Sequence, residues 1–169
     1  MAGRLAPALA LAVLPLAVGL SGAATTVPRC HATDLRVYLT NAGAAVGTIT
    51  MDVAFRNHSG HACIVYGYAG FGLEDAHHRA TPSRVTWSST VARRDPGRHR
   101  VVLRPGRAAF ANLSFRDVPF ENERCSRSAW LEVTPPDERR YRLVPFGGFV
   151  CDHGHLTATA LSRTRTPHD

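Results

Sequence analysis

The sequence predicts an all-β antiparallel sandwich stapled by two disulfides, and three observations carry this prediction. Short stretches in which apolar and polar residues alternate recur along the chain, as in half-buried strands. Turn motifs rich in glycine and proline separate them, without a convincing amphipathic helix. Four cysteines, Cys30, Cys63, Cys125 and Cys151, all follow the first 24 residues. An even number of cysteines in an exported domain indicates two disulfides.

The first pair of strands is predicted from alternation over residues 35–39 and 49–55. Apolar residues occupy every second position, namely Leu35, Val37, Leu39, Ile49, Met51, Val53 and Phe55. This pattern places Met51 in the core and Asp52 on the opposite face of the strand. Residues 41–45 are turn-like, so the two strands should pair as an antiparallel hairpin. Such a hairpin brings Cys30 next to Cys63.

A second hairpin is predicted near the carboxyl end of the chain. Ala129, Leu131 and Val133 form one strand face, residues 135–137 break the strand, and residues 141–146 run back. Cys125 should then pair with Cys151. Each bridge closes a loop that stabilises the fold by about 3 to 4 kcal/mol in the chain-entropy model. The alternative is a set of reactive or metal-bound thiols.

Further short strands are predicted at residues 63–68, 84–87, 100–103, 108–115 and 155–161. Residues 104–107 suit a type II turn, because Pro105 presets the first φ angle and Gly106 accepts the positive second one. Residues 95–98 offer the same chemistry. Strands at this short spacing favour a sandwich.

The first 24 residues are typical of a cleavable secretory signal peptide. Arg4 precedes an apolar run over residues 5–20, and small residues follow over residues 21–24. Pro7 and Pro15 interrupt the run, so cleavage is favoured over a retained anchor. We expect a single extracytoplasmic domain over residues 25–169, with no membrane span after cleavage. The sequence leaves its oligomeric state open.

The basic residues are all arginine, which together with abundant alanine, glycine and proline indicates a GC-rich, actinobacterial source. The formal net charge of +7 falls by one, to +6, when Arg4 leaves with the leader. Outside the cytoplasm, this charge favours anionic cell-wall polymer or lipid headgroups as partners, and not nucleic acid. The alternative is a solvated basic surface without a partner.

Several motifs in this order resemble the family of secreted actinobacterial proteins known as domain of unknown function 4232. The matching pieces are Cys30 with Asp34-Leu35, Asn57-His58-Ser59-Gly60 before Cys63, Gly67-Tyr68, Leu103-Arg104-Pro105-Gly106 with Ala108, Cys125, Leu131-Glu132-Val133-Thr134-Pro135-Pro136 and Val150-Cys151. The resemblance implies an immunoglobulin-like β-sandwich in the envelope with no assigned activity. A lipoprotein cleavage site is missing here, which favours release over anchoring.

The candidate binding surface is a basic rim of six arginines around two predicted turns. Its members are Arg93, Arg94, Arg98, Arg100, Arg104 and Arg107. The fork of an arginine side chain suits phosphate or carboxylate, so this rim is a candidate anion-binding site. The alternative is a mobile, solvated loop.

Histidines offer a second hypothesis, a metal site. His153 and His155 are two residues apart on an extended segment, and a third ligand could come from His58, His61, His77 or His78. Imidazoles suit zinc or copper. A blue-copper site is disfavoured because Cys151 is expected in a disulfide and Met51 in the core. Exposed loop histidines without a metal are the alternative.

Catalytic signatures do not occur in this sequence. It has no Gly-x-Ser-x-Gly nucleophile elbow and no phosphate-cradling glycine motif, and its 13 carboxylates are scattered. The sequon-like residues 57–59 and 112–114 are interpreted as coincidental. We therefore expect a secreted, non-catalytic binding or structural module of the cell envelope, without a cofactor. The metal-binding protein is the alternative.

Overall fold

The computed structural model describes residues 26–165. The predicted leader over residues 1–24 lies outside the described residues, so its cleavage stays a prediction. Within the described range, no helix is long and apolar enough to cross a membrane. Two short 3₁₀ helices, Ala32–Asp34 and Asp152–Gly154, each lead directly into a strand.

The described residues form strands that follow one another with turns and short loops between them. In chain order they are β1 (Leu35–Ala45), β2 (Thr48–Asn57), β3 (Cys63–Tyr66), β4 (Gly70–Glu74), β5 (Ala80–Thr81), β6 (Arg84–Trp87), β7 (Arg100–Leu103), β8 (Ala108–Arg116), β9 (Ser126–Thr134), β10 (Arg142–Val150) and β11 (His155–Ala158). The prediction of an all-β fold is thus confirmed. The immunoglobulin-like strand arrangement implied by the resemblance stays a prediction.

The strands are arranged in two larger sheets and one small one. The five-stranded sheet has the order β1-β2-β8-β11-β6, and the four-stranded sheet has the order β10-β9-β4-β5. Strands β3 and β7 form a separate antiparallel pair. The pairs are antiparallel as predicted, except that β11 and β6 run parallel. One apolar core contains side chains from both larger sheets, including Val53, Leu113, Leu131 and Val133.

The first hairpin is antiparallel as predicted, but its turn was predicted at the wrong place. Leu35 pairs with Asn57, while the chain reverses at Val46 and Gly47, between the paired Ala45 and Thr48. Residues 41–45 belong to β1. Asn41 has a φ of 51°, and a β-bulge between Thr40 and Gly43 absorbs the extra residues. The turn-like composition therefore marks a bulge within the strand.

Both disulfides have the predicted pairing. Cys30 is bonded to Cys63, with 4.8 Å between their Cα atoms. Cys125 is bonded to Cys151, with 4.2 Å between their Cα atoms. The hairpins β1–β2 and β9–β10 bring each pair of cysteines together, as the strand argument required.

Strand β2 is buried on both of its faces, which strict alternation does not predict. Met51 lies in the core at 7% exposure, as expected, and Asp52 on the other face is only 1% exposed. Ala54 is buried as well. The segment after β11 continues along β8 in the same direction as β11, and Ser162 forms an antiparallel bridge with Phe110. This segment helps to cover the outer face of the sheet around Asp52.

Candidate functional site

A buried carboxylate, Asp52, organises the polar outer face of the five-stranded sheet. It pairs in register with Asn112 on β8, whose amide Nδ2 donates to Asp52 Oδ1 at 2.9 Å. The bulge in β1 directs Asn41 at the same group, and Asn41 Nδ2 donates to Asp52 Oδ2 at 2.8 Å. Arg165 Nε lies 3.1 Å from Asp52 Oδ2. Buried charges need such partners, and these three lie within hydrogen-bond distance of the Asp52 carboxylate.

Asn112 connects Asp52 to the surrounding segments. Thr90 donates its hydroxyl to Asn112 Oδ1 at 2.6 Å. The backbone N–H of Asn112 donates to Thr159 Oγ1 at 3.0 Å. The Asn112 side chain is thus buried and hydrogen-bonded, which agrees with the interpretation of the sequon at residues 112–114 as coincidental. The hydrogen bonds of the Asn41 and Asn112 side-chain amides form in only one orientation of each group. The network therefore fixes the position of the Asp52 carboxylate.

Two arginines lie against this anchor. The guanidinium of Arg165 lies 3.9 Å from the ring centroid of Phe110, a cation–π contact. Arg93 Nε lies 3.9 Å from Asp52 Oδ1, and this buried nitrogen has no hydrogen-bond partner among the described residues. Asp52, Arg93 and Arg165 line a small cavity, and exposed Arg94 lines it too. The volume of this cavity, about 10 Å³, is close to that occupied by one water molecule.

A larger cavity lies on the other side of residues 162–164. Its volume is about 370 Å³, and its charged or titratable lining residues are His99, Arg100 and Arg163. Ser162 and Thr164 line both cavities, so the two are adjacent. We call the combined surface the basic groove. Its members are Arg93, Arg94 and Arg165 on one side of residues 162–164, and His99, Arg100 and Arg163 on the other.

The acidic groups near the groove are already engaged. Asp52 is paired as described above. Asp95 Oδ2 accepts the hydroxyl of Tyr68 at 2.6 Å, and Asp95 Oδ1 accepts the backbone N–H of Ala160 at 2.8 Å. The hydrogen bond to Asp95, burial, and the charge of Asp95 raise the pKa of Tyr68 above its ordinary value. Exposed Arg94, Arg100 and Arg163 therefore keep their charges available to an anion.

The six arginines of the predicted rim do not gather at one end of the fold. Arg93, Arg94 and Arg100 belong to the groove. Arg98 instead lies over the ring of Tyr68, 5.7 Å from its centroid. Arg104 and Arg107 form the β7–β8 turn, in which the Arg107 N–H donates to the Arg104 carbonyl at 3.0 Å and Gly106 has a φ of 76°.

That turn lies at the far end of β7 from Arg100, roughly 13 Å along the strand. The rim is therefore spread along β7. Arg163 and Arg165 were missed from the sequence. Their position just after the last predicted strand gave no signal for this arrangement, because a spacing of two residues predicts a shared face whereas the two arginines line different cavities.

Of the predicted histidine pair, only His155 has its ring held by neighbouring side chains. His155 Nδ1 lies 2.9 Å from Asp152 Oδ2, and His155 Nε2 lies 2.9 Å from Thr86 Oγ1. His153 is exposed, and its backbone N–H donates to Glu123. Within residues 26–165, no three His, Cys, Asp or Glu side chains come together as a metal site. His58, His61, His77 and His78 thus supply no third ligand there.

Two glutamates, Glu74 and Glu132, interact on the outer face of the four-stranded sheet. Glu74 ends β4 and is buried. Burial of Glu132, its hydrogen bond with Glu74, and repulsion between the carboxylates raise the pKa of Glu132. His78 Nδ1 lies 2.9 Å from Glu74 Oε2 and its ring stacks on Trp130. The contacts with His78 and Trp130 give the Glu74–Glu132 pair a structural role on the surface of the sheet.

A family model described as "Domain of unknown function (DUF4232)" matches residues 30–162. No curated protein and no solved structure matches the chain. The matched range contains both disulfides, Asp52 and the groove residues from Arg93 to Arg100, and it ends at Ser162, directly before Arg163.

Proposed function

The chain belongs to the family of domains of unknown function DUF4232, and from the geometry of the groove we propose that it is a secreted, non-catalytic module of the cell envelope that binds an anionic wall polymer. The two disulfides support an oxidising compartment outside the cytoplasm. The signal-peptide pattern of the first 24 residues supports the same location.

One observation carries the proposal: the groove arginines flank a segment that buried Asp52 holds in place. Asp52 binds Arg165 at 3.1 Å, and the Phe110–Ser162 bridge attaches the same segment to β8. Arg163 lies between these two attachments. Because the backbone is held, the exposed guanidinium of Arg163 is presented beside Arg100 with less ordering cost on binding.

The shape of the groove favours an extended polymer as the ligand. The cavity of about 370 Å³ presents exposed Arg100 and Arg163, and exposed Arg94 lines the adjoining small cavity, so an extended chain on the surface can contact all three. Phosphate and carboxylate groups fit the planar guanidinium fork. A polymer that repeats such groups can also use several weak contacts at once. Lipid headgroups share this chemistry and are compared in the experiment below.

The test compares two double variants that remove the same charge. Arg100→Ser with Arg163→Ser removes two exposed cations from the groove. Arg104→Ser with Arg107→Ser removes two exposed cations from the β7–β8 turn. Binding to a soluble glycerol phosphate polymer is measured by titration calorimetry, and binding to anionic lipid vesicles by sedimentation.

We expect the groove variant to bind the polymer at least about tenfold more weakly, because each exposed phosphate contact contributes of the order of 1 kcal/mol. The turn variant should stay within about twofold of the wild type, since only long-range attraction changes. Equal losses in both variants would show that the net charge alone attracts the polymer. Groove-dependent binding to vesicles but not to the polymer would identify lipid headgroups as the partner instead.

A further inference from the structure

Four apolar side chains lie at one end of the sandwich, and the described residues leave all four exposed to solvent. They are Val46 in the β1–β2 turn, Val118 and Phe120 in the β8–β9 loop, and Phe149 near the end of β10. We call these four residues the apolar tip. Single exposed apolar residues are common in proteins, whereas several at one end of a fold indicate an interaction surface.

Val46 is the most informative of the four. It has a φ of 48° and the following Gly47 has a φ of 70°, as a two-residue type I′ turn requires. A β-branched residue is strained in this conformation, and Asn or Gly normally occupies the position. The side chain of Val46 is fully exposed, so it gains no burial in return. Neither turn formation nor packing within the chain explains a valine here.

Contacts between the loops bring the tip residues together. The N–H of Asp117 donates to the carbonyl of Gly47 at 3.2 Å. A Cβ atom at Gly47 would lie 3.1 Å from Val118 Cγ2, so the turn packs directly on the β8–β9 loop. Asp117 and Phe149 both line one cavity of about 280 Å³ between β2, β8 and β10. The tip is therefore one end surface to which three separate elements contribute.

Arginines lie on the phenyl rings of the tip. The guanidinium of Arg116 lies 5.7 Å from the ring centroid of Phe120, and that of Arg127 lies 5.7 Å from the ring centroid of Phe149. Among nearby acids, Glu123 is directed at the backbone N–H of His153, a hydrogen bond that lowers the pKa of Glu123. Asp117 has one buried carboxylate oxygen, and Glu121 is exposed.

We propose that the apolar tip is a membrane-docking surface, in which Val46, Val118, Phe120 and Phe149 enter the interface of a phospholipid bilayer while Arg116 and Arg127 bind lipid phosphates. Lipid phosphates complement the two arginines, whose apolar stems can lie along the phenyl rings while their charged ends reach the headgroups. Two arginines on the phenyl rings would repel the same two arginines of a second copy, whereas anionic lipid phosphates attract them, so the charges favour a lipid surface as the partner.

The tip is independent of the basic groove. Phe110, which pairs with Ser162 at the groove, and Arg116 at the tip are six residues apart on β8, or about 20 Å along the strand. A molecule docked by its tip would therefore keep its groove accessible to a polymer.

The experiment measures sedimentation of the purified protein with vesicles of phosphatidylcholine and phosphatidylglycerol. We expect Phe120→Ser with Phe149→Ser to weaken partitioning at least about tenfold, because two phenyl rings no longer leave water. Tyr141→Ser is the matched control, since Tyr141 is 48% exposed and Phe149 is 54% exposed. This control should bind as the wild type does. Raising the salt concentration several-fold should leave most of the tip-dependent binding intact.

Val46→Asn separates docking from folding. Asparagine accepts a positive φ, so this variant should unfold at the same or a higher urea concentration while binding vesicles several-fold more weakly. Vesicle binding that survives in all the tip variants, or that disappears in the groove variant Arg100→Ser with Arg163→Ser, would overturn the proposal. So would tip variants that abolish self-association of the protein without changing vesicle binding, because the tip would then contact a second copy.

Discussion

Replacing Asp52 with alanine should destabilise the fold by about 3 kcal/mol. The substitution removes the acceptor of the amides of Asn41 and Asn112. Hydrogen bonds to a charged group are each worth about 1.5 kcal/mol or more. The contact with Arg165 adds less than about 1 kcal/mol, because that side chain is 39% exposed and can turn to water. Relief of burying a charge offsets part of this total.

The assay is urea unfolding at neutral pH with both disulfides intact. The midpoint should fall while the dependence on urea stays unchanged, because the same surface is exposed on unfolding. Arg165→Ala is the control and should cost about 1 kcal/mol or less. A loss below about 0.5 kcal/mol for Asp52→Ala, or a loss no larger than that of Arg165→Ala, would refute the role of Asp52 as the anchor of the groove.

Two further predictions concern pH. The pKa of Tyr68 is raised above 10.0 because its hydroxyl donates to Asp95, so its contribution to stability is present below about pH 10 and is lost as the pH rises through the folded-state pKa. Tyr68→Phe should remove this alkaline loss in urea unfolding between pH 8 and 11, and an unchanged pH dependence would contradict the assignment. Burial raises the pKa of Glu138, but the Ala32 N–H, His31 and Arg29 outweigh burial, so the pKa lies below 4.5. The stabilisation by the Glu138 carboxylate is therefore present above about pH 4.5 and lost as the pH falls through the lowered pKa. In urea unfolding between pH 6 and 3, Glu138→Gln should lose less stability with acid than the wild type does. Equal losses in the two proteins would contradict the role of Glu138.

Local patterns predicted the hairpins and the disulfides, because alternation and strand order decide which cysteines meet. These patterns gave a wrong prediction where a residue is atypical of the structure that it adopts. Val46 occupies a turn position that asparagine or glycine normally fills, so the first turn was expected earlier in the chain. Strand β4 was missed because Gly70 and Gly72 are typical of a loop. A Cβ at Gly72 would lie 3.0 Å from Glu132 Oε2, so this glycine makes room for a neighbouring side chain.

The groove could be predicted only in part, for a different reason. Arginine content indicated anion binding, and Arg93, Arg94 and Arg100 do belong to the groove. The remaining parts depend on contacts between distant residues. Arg165 reaches Asp52 across 113 positions of sequence because residues 162–165 run beside β8. The burial of Asp52 likewise depends on segments that cover the outer face of β2, which the alternation within β2 cannot reveal.

The most direct test of the proposed function is to map where a glycerol phosphate polymer binds by amide chemical-shift changes in the isotope-labelled protein. The account predicts changes at residues 93–94, 99–102 and 162–165, on both sides of the groove, which saturate with the polymer concentration and diminish as salt is added. Changes confined to the turn of Arg104 and Arg107, or small changes spread over all exposed arginines, would contradict it.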